Sequence, residues 1–196
     1  MNRKGNMYDL AMGPLEKGTF HKIRRRLIEK AKGRVLEIGS GTGVNFLYYC
    51  NVEEVVAIEP NEKSVEISRG KIRRANVPIE VLPYSAEQLP FPNDYFDSVV
   101  ATLVFCTIPD PEKALAEIKR VAKPGAPILF FEHVKVKQPF FALVQDMLNP
   151  LWKRVANGCN INRDTEKLIR KSGFHVQEVS SYYKGLFVAI ECANMK

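Results

Sequence analysis

Short apolar runs alternate with amphipathic stretches along this chain. Arg34–Ile38, Glu54–Glu59, Ile79–Leu82, Phe96–Leu103 and Pro127–Glu132 are compact runs rich in Val, Ile, Leu and Phe, which is how strands read. Because these runs are largely continuous in apolar residues, they predict parallel strands covered on both faces by helices. The segments between them predict such helices near Gly43–Cys50, Glu62–Ala75 and Glu112–Val121. Asn61 stands where it can cap the second, Pro111 where the third begins, and Lys123-Pro124-Gly125 where the third must end. Farther on, Arg163–Ser172 reads as a helix, and Phe174–Ser180 and Phe187–Cys192 as strands. The tight link Tyr183-Lys184-Gly185 favours an antiparallel hairpin at the sheet edge.

Two amphipathic segments flank this α/β pattern. Between Phe20 and Lys32, Phe20, Ile23, Leu27, Ile28 and Ala31 recur at helical spacing while Lys and Arg fill most other positions. Such a helix can lie on an anionic membrane, or pack on the sheet and keep a solvated basic face. In the long connection 135–162, Phe140, Val144, Met147, Leu148, Leu151, Trp152 and Val155 also repeat at helical spacing, with Pro139 at the start and Pro150 as a bend. That row reads either as a lid over a nonpolar ligand or as plain packing onto the sheet. The organisation expected is a basic N-terminal arm and helix over 1–33, then one domain over 34–196 carrying the lid.

Composition narrows the class. A chain of 196 residues with 45% hydrophobic content suits one α/β domain with a full-sized core. Its net charge of +7 is concentrated in residues 1–34, which hold ten Lys or Arg against three acids. No zinc-finger spacing, RNA-binding signature or aromatic-interleaved groove accompanies that charge, so no nucleic-acid partner is expected. Cys50, Cys106, Cys159 and Cys192 are widely separated, without a C-x-x-C pair. Neither a disulfide framework nor a zinc knuckle is expected, and reduced cytoplasmic thiols are. With no run of eighteen apolar residues and no apolar core in the first twenty, neither a membrane span nor an export signal is expected.

The chemistry begins at VLEIGSGTG, Val35 to Gly43, followed by Glu59 in VVAIEP. A buried strand opening into Gly39, Gly41 and Gly43 lets the backbone approach a ligand, and an acid about twenty residues on can reach a ribose. A dinucleotide fingerprint would place its third glycine one residue later, at Val44. Glu37 beside the turn suits an ammonium better than a pyrophosphate. S-adenosylmethionine carries an ammonium, a sulfonium and no phosphate, and is the cofactor this pattern predicts. Glu37 would then supply charge near the ammonium or position the turn, and Glu59 would accept both ribose hydroxyls. No metal and no covalent enzyme intermediate are required for transfer from a sulfonium. Glu132 and His133, at the mouth of the fifth strand, are the candidates for a base and its orienting partner, or else a strand-end pair bonded to loops. Cys106 reads as a small buried thiol, or else as a group that approaches the acceptor pocket.

The ordered set LEIGSGTG, AIEPN, SAEQLPFPNDYFDSVVATLVFC and EIKRVAKPGAPILFFEHV, with the closing hairpin, resembles the class I S-adenosylmethionine-dependent methyltransferases over nearly the whole chain. The resemblance implies a Rossmann-like, seven-stranded, mostly parallel sheet whose last strand is antiparallel. It also implies that Pro60, Asn61, Ser85 and Ala86 lie near the adenine and that Thr102, Leu103 and Val104 border the methionine and its methyl. Ser85 stands where that family commonly has an acid, so the backbone of Ala86 is expected to share the reading, with Glu87 orienting the loop. Asp97 resembles a common family acid and also suits a turn. MYDLAMGPLE looks like the opening of bacterial phospholipid N-methyltransferases. ATLVFCTIPD, FFEHV and QDMLNPLWKRVANGCNINRDT look like the small thiol S-methyltransferases of the methyltransferase-like group, whose apolar N-terminal anchor is not expected here. The expected acceptor is a small hydrophobic or amphiphilic molecule, a thiol or a lipid amine. Beside these stands a cofactor-binding protein without catalysis.

Overall fold

The computed structural model describes residues 16–156 and 158–196, so the MYDL motif lies almost wholly outside the described residues. A wide turn over Glu16–Phe20 leads into helix α1 (His21–Ile28). There follow β1 (Arg34–Ile38), a 3₁₀ turn (Val44–Tyr48), β2 (Glu54–Ile58), α2 (Glu62–Ile72), β3 (Ile79–Leu82), β4 (Ser98–Thr102), α3 (Pro111–Val121) and β5 (Pro127–His133). The chain ends with α4 (Pro139–Val155), α5 (Thr165–Lys171), β6 (His175–Tyr182) and β7 (Phe187–Ala193). One seven-stranded sheet results, in the order β3-β2-β1-β4-β5-β7-β6. β1 to β5 run parallel, and β7 lies antiparallel between β5 and β6. The strand order reverses between β1 and β4, and in such sheets ligands bind at the carboxyl ends beside that reversal.

Alternate residues of each central strand feed two separate cores, as a sheet covered on both faces requires. Val99, Ala101, Ile128 and Phe130 join Leu115, Ile118 and Ile169 on one side. Val100, Leu129 and Phe131 join Phe20, Ile23 and Leu27 on the other. The helix starts are those the sequence marks: Asn61 Oδ1 accepts from the Lys63 and Ser64 amides, Asp110 caps α3 ahead of Pro111, and Asp164 caps α5.

One expectation changes, and of two readings left open one is found. The helix expected over Gly43–Cys50 is only a short 3₁₀ turn, ending where Tyr49 turns extended; Asn45 and Tyr49 are drawn down to a buried carboxylate, and that tertiary pull overrides helix periodicity. The basic helix spends its apolar face on the core, with Phe20 fully buried and Ile23, Leu27 and Ile28 at most 5% exposed. That face is therefore closed to a membrane. Three basic residues of this segment are also paired, Arg25 with Glu29, Arg26 with Glu178, and Lys30 with Glu191.

Candidate active site

β1 empties into the glycine turn at the strand-order reversal. Gly39 sits at φ +62°, a left-handed conformation, and a Cβ there would stand 2.2 Å from Val104 Cγ2. Gly41 is also left-handed, but a Cβ there would meet nothing within 4 Å, so the turn presents bare backbone to open space. Glu59, just past β2, aims at the same place. Its Oε2 accepts from the Gly41 amide and its Oε1 from the Asn61 amide, both at 2.8 Å. Each oxygen keeps a lone pair, and two such acceptors beside open backbone fit the ribose of the expected cofactor. Pro60 and Asn61 are exposed next to this carboxylate, with the Asn61 side chain engaged in capping α2. Ser85 donates to Glu87, whose other oxygen accepts from the Asp110 amide at 3.3 Å; Glu87 thereby ties the Ser85–Ala86 loop to the start of α3. Asp97 lies at the opposite, amino end of β4. There it accepts from the Arg34 amide and from Lys123. Burial works against its ionised form, but these bonds outweigh it and hold the carboxyl below its ordinary value.

A buried polar cluster lies under the glycine turn. Glu37 is 1% exposed, with Oε1 accepting from Asn45 Nδ2 at 3.0 Å and Oε2 from the Tyr49 hydroxyl at 2.8 Å. Arg24 reaches in from α1 and donates to Asn45 Oδ1 at 3.0 Å and to Thr102 Oγ1 at 2.6 Å. Its guanidinium also lies 5.7 Å from the Phe131 ring centre. Burial pushes the Glu37 carboxyl up to about 7 against the opposing bonds from Tyr49 and Asn45. Burial and the neighbouring Glu37 likewise push the Tyr49 phenol well above its ordinary value. Of the two roles expected for Glu37, direct charge at the cofactor has no exposed oxygen to act through, whereas positioning of the turn does have a bonded path. Thr102 is likewise drawn inward, its hydroxyl engaged by Arg24 and Asn45. Arg24, Asn45 and Tyr49 escaped the sequence reading.

Past β4 the chain is held in a strained bend. Leu103 takes φ +54°, which for a branched side chain costs on the order of 1–3 kcal/mol. Two contacts hold it there: the Leu103 amide donates to Phe131 O at 2.7 Å, and Glu132 Oε1 accepts from the Val104 and Phe105 amides at 3.0 and 3.1 Å. Glu132 has no exposed surface, and burial lifts its carboxyl to about 7 against those two bonds. Its bonds go to the loop past β4, which the resemblance places beside the methyl.

His133 turns instead toward a corner formed with two cysteines. Its Nε2 lies 3.0 Å from Cys159 Sγ, and donor atoms of Cys106, His133 and Cys159 fall within 4.8 Å of one another, all three residues buried. The bond with Cys106 lowers the Cys159 thiol, with His133 adding to it, while Cys106 is raised by the same bond and by burial. Trp152 packs over this corner. Residues 26 or more apart in sequence meet here, so no local spacing could reveal the trio.

Helix α4 closes this end with its polarity inverted. Gln145, 8% exposed, accepts from the Val136 amide and donates to Val134 O and Ile161 O; Asn149 accepts from the Ile161 amide. The apolar row faces out, with Phe140 72%, Met147 73% and Leu151 63% exposed. Plain packing of that row onto the sheet is thereby excluded. Among the row's described side chains, Trp152 turns inward.

Comparison with known proteins agrees with this geometry. Residues 36–130 match the methyltransferase-domain family. Thiol S-methyltransferase TMT1B of Rattus norvegicus is 37% identical over 144 residues, 71% of this chain and 59% of that protein. Phosphatidylethanolamine N-methyltransferase of Cereibacter sphaeroides is 30% identical over 129 residues, 65% of this chain and 63% of that one. The chain thus spans about six tenths of the length of these relatives. The YcgJ protein of Bacillus subtilis superimposes with a TM-score of 0.72 over 90% of this chain and 99% of that one, at 17% identity, a likeness of fold. No helix among the described residues is long and apolar enough to cross a membrane. A ubiquinone/menaquinone biosynthesis C-methyltransferase of Vibrio campbellii is 30% identical over 83% of this chain and 69% of that one, and with fold and glycine turn this gives one assignment: the chain belongs to the class I S-adenosylmethionine-dependent methyltransferases.

Proposed function

We propose that this enzyme methylates the sulfur of a small hydrophobic thiol. The observation that carries the reading is α4, a helix fastened by its polar face with a row of large apolar side chains left exposed at the acceptor end. Such a row suits an acceptor that is itself apolar, or a surface that delivers one. Similarity to a thiol S-methyltransferase supports sulfur as the atom methylated. When bound, S-adenosylmethionine supplies a methyl group on a sulfonium sulfur, so the acceptor's own lone pair makes the new bond. The protein's part is to hold the acceptor in line at about 3 Å and to keep water out. Gly39, Gly41, Gly43 and Glu59 hold the cofactor beside Pro60, Asn61, Ser85 and Ala86. Glu37 supports the turn from below, Glu132 fixes the Leu103–Phe105 bend, and Trp152 walls the acceptor side.

A second reading, methylation of a lipid amine, draws on the similarity to a phosphatidylethanolamine N-methyltransferase and on the same exposed helix, with Lys153 and Arg154 in its last turn. Turnover of labelled S-adenosylmethionine with 1-octanethiol, octylamine and phosphatidylethanolamine vesicles separates the two. Octyl methyl sulfide is the expected product; methylated amine or lipid with unmodified thiol would overturn sulfur as the acceptor atom.

A further inference from the structure

Cys106, His133 and Cys159 converge because the chain past β4, the end of β5 and the chain leaving α4 meet at one corner. Two further bonds lock that corner: the Asn160 amide and side chain both donate to Cys106 O, at 2.9 and 3.0 Å. We propose that these three side chains hold one zinc ion and that the acceptor's sulfur takes the fourth position. The fourth position rests on the thiol reading above; the metal site does not.

The donor set suits zinc, which takes thiolate sulfur at ~2.3 Å and imidazole nitrogen at ~2.0 Å in a tetrahedron. Those lengths place neighbouring donors ~3.5–3.8 Å apart. Here the three donors already lie within 4.8 Å of one another, with His133 Nε2 and Cys159 Sγ at 3.0 Å, so small side-chain shifts close them on an ion. Among the described residues no fourth His, Cys, Asp or Glu joins the group. Three protein ligands with one place left for substrate is the arrangement of a reactive zinc site, whereas structural sites supply four. A disulfide between the cysteines would leave His133 without a part in the trio.

Charge points the same way. Glu132 Oε2 is buried and unpartnered in this neighbourhood, and so is His133 Nδ1. Arg163, a cation close enough to act on Cys106, directs one guanidinium nitrogen to Phe105 O and Ile108 O. A divalent ion bound here deprotonates the two thiols and balances the two thiolates it creates. With Nε2 on the metal, the imidazole proton sits on Nδ1.

The site would solve the chemical difficulty of a thiol acceptor, whose ordinary pKa of about 8.5 leaves little thiolate at neutral pH. Metal coordination deprotonates a thiol outright. The S–H proton leaves to solvent as the sulfur takes the fourth position. A sulfur lone pair then forms the new S–CH₃ bond while the cofactor's S–CH₃ bond breaks, its electron pair returning to the sulfonium sulfur. A neutral thioether and S-adenosylhomocysteine remain, and the thioether, a weaker ligand than a thiolate, departs.

The test is titration of reduced, chelator-stripped full-length protein with Co²⁺, which reports sulfur ligation by near-ultraviolet charge transfer and tetrahedral geometry by its visible bands. Saturation at one Co²⁺ per chain, with displacement by Zn²⁺, is expected. Cys106→Ser and Cys159→Ser should each weaken Zn²⁺ binding by more than about 100-fold, since even outer partners of a ligand are worth about 10–100-fold. Cys192→Ser, a buried thiol outside the corner, should bind as wild type. X-ray absorption of the zinc-loaded wild type, expected to show two sulfurs and one nitrogen from the protein, decides the matter should a variant not fold. Absence of a one-to-one band in wild type, or a zinc shell without sulfur, would overturn the site. Adding 1-octanethiol should shift the visible bands, and unchanged bands would remove the fourth-position assignment. Zinc-loaded protein that binds octanethiol but transfers no methyl would keep the site and sink the thiol reading. Metal-free protein that methylates octanethiol at the full rate would keep the thiol reading and remove the fourth-position assignment.

Discussion

Two buried polar clusters lie under the carboxyl ends of this sheet, and they are finished to different degrees. Beneath the glycine turn, both oxygens of Glu37 accept bonds, and Arg24 and Asn45 share the Thr102 hydroxyl. Beneath α4, Glu132 leaves one oxygen without a partner, and His133 and Trp152 each leave a nitrogen. Each buried polar group left so costs about 1–3 kcal/mol. A completed network is what a scaffold needs, and an incomplete one persists where its groups have work to do on something bound. The Glu37 cluster is thus closed on itself, although Ser40 Oγ in the turn above it is buried without a partner, whereas the corner beneath α4 keeps several groups open; under the proposed function the first supports the cofactor turn and the second serves the acceptor.

The contrast is sharpest in stability. Arg24→Met withdraws a charged donor from a closed buried network, and a loss of about 3–5 kcal/mol is expected in urea unfolding. Cys159→Ser, in the unfinished corner, should cost about 1–2 kcal/mol or less. Equal losses would erase the distinction. Next in size is a pH effect. Glu37 and Glu132 are both lifted from 4.5 to about 7 in the folded state, so between those values the native protein binds more protons than the unfolded chain. Stability therefore falls as pH rises from about 4.5 to about 7, by up to about 3 kcal/mol per group. Asp97, Glu117 and Asp146 are shifted the other way; their contribution is lost only as pH falls below the ordinary carboxylate range. Unfolding at pH 5 and pH 8 should show wild type weaker at pH 8, with part of that difference missing in Glu37→Gln. A flat wild-type profile would contradict the buried-carboxylate account.

Smaller effects test the acceptor end. Trp152→Ala should raise the acceptor KM or lower kcat by about tenfold, ~1.4 kcal/mol, with cofactor affinity nearly unchanged. Steady-state kinetics beside thermal unfolding would separate this from a core role, which would show as lost stability with unchanged kinetics per folded molecule. Met147→Ser changes a side chain 73% exposed, so its stability should stay within about 0.5 kcal/mol of wild type. Its acceptor KM should still rise, and an unchanged KM would remove the outer face of α4 from acceptor recognition.

Strands and cofactor turn were legible because each is written locally, while the seven-stranded sheet with its antiparallel last strand came from the resemblance. Apolar runs gave β1 to β5, and the glycine spacing with Glu59 gave the cofactor. What stayed hidden was set by tertiary contact. Arg24 looks like its neighbours Arg25 and Arg26, and only docking of α1 separates a buried guanidinium from two exposed ones. The apolar periodicity of α4 is plain in sequence, but periodicity does not say which face meets the protein; Gln145 and Asn149 decide that through bonds to distant backbone. Cys106, His133 and Cys159 carry no common motif, and the crossing of three connections alone unites them.

The division of labour is tested most directly by one paired measurement on wild type, Glu59→Ala and Cys159→Ser: calorimetric titration with S-adenosylmethionine, and KM for 1-octanethiol. Glu59→Ala should lose about 1–3 kcal/mol of cofactor binding through lost bonds to the ribose, while Cys159→Ser binds the cofactor as wild type and raises the thiol KM or lowers kcat. Wild-type cofactor affinity in Glu59→Ala, or unchanged thiol kinetics in Cys159→Ser, would contradict it.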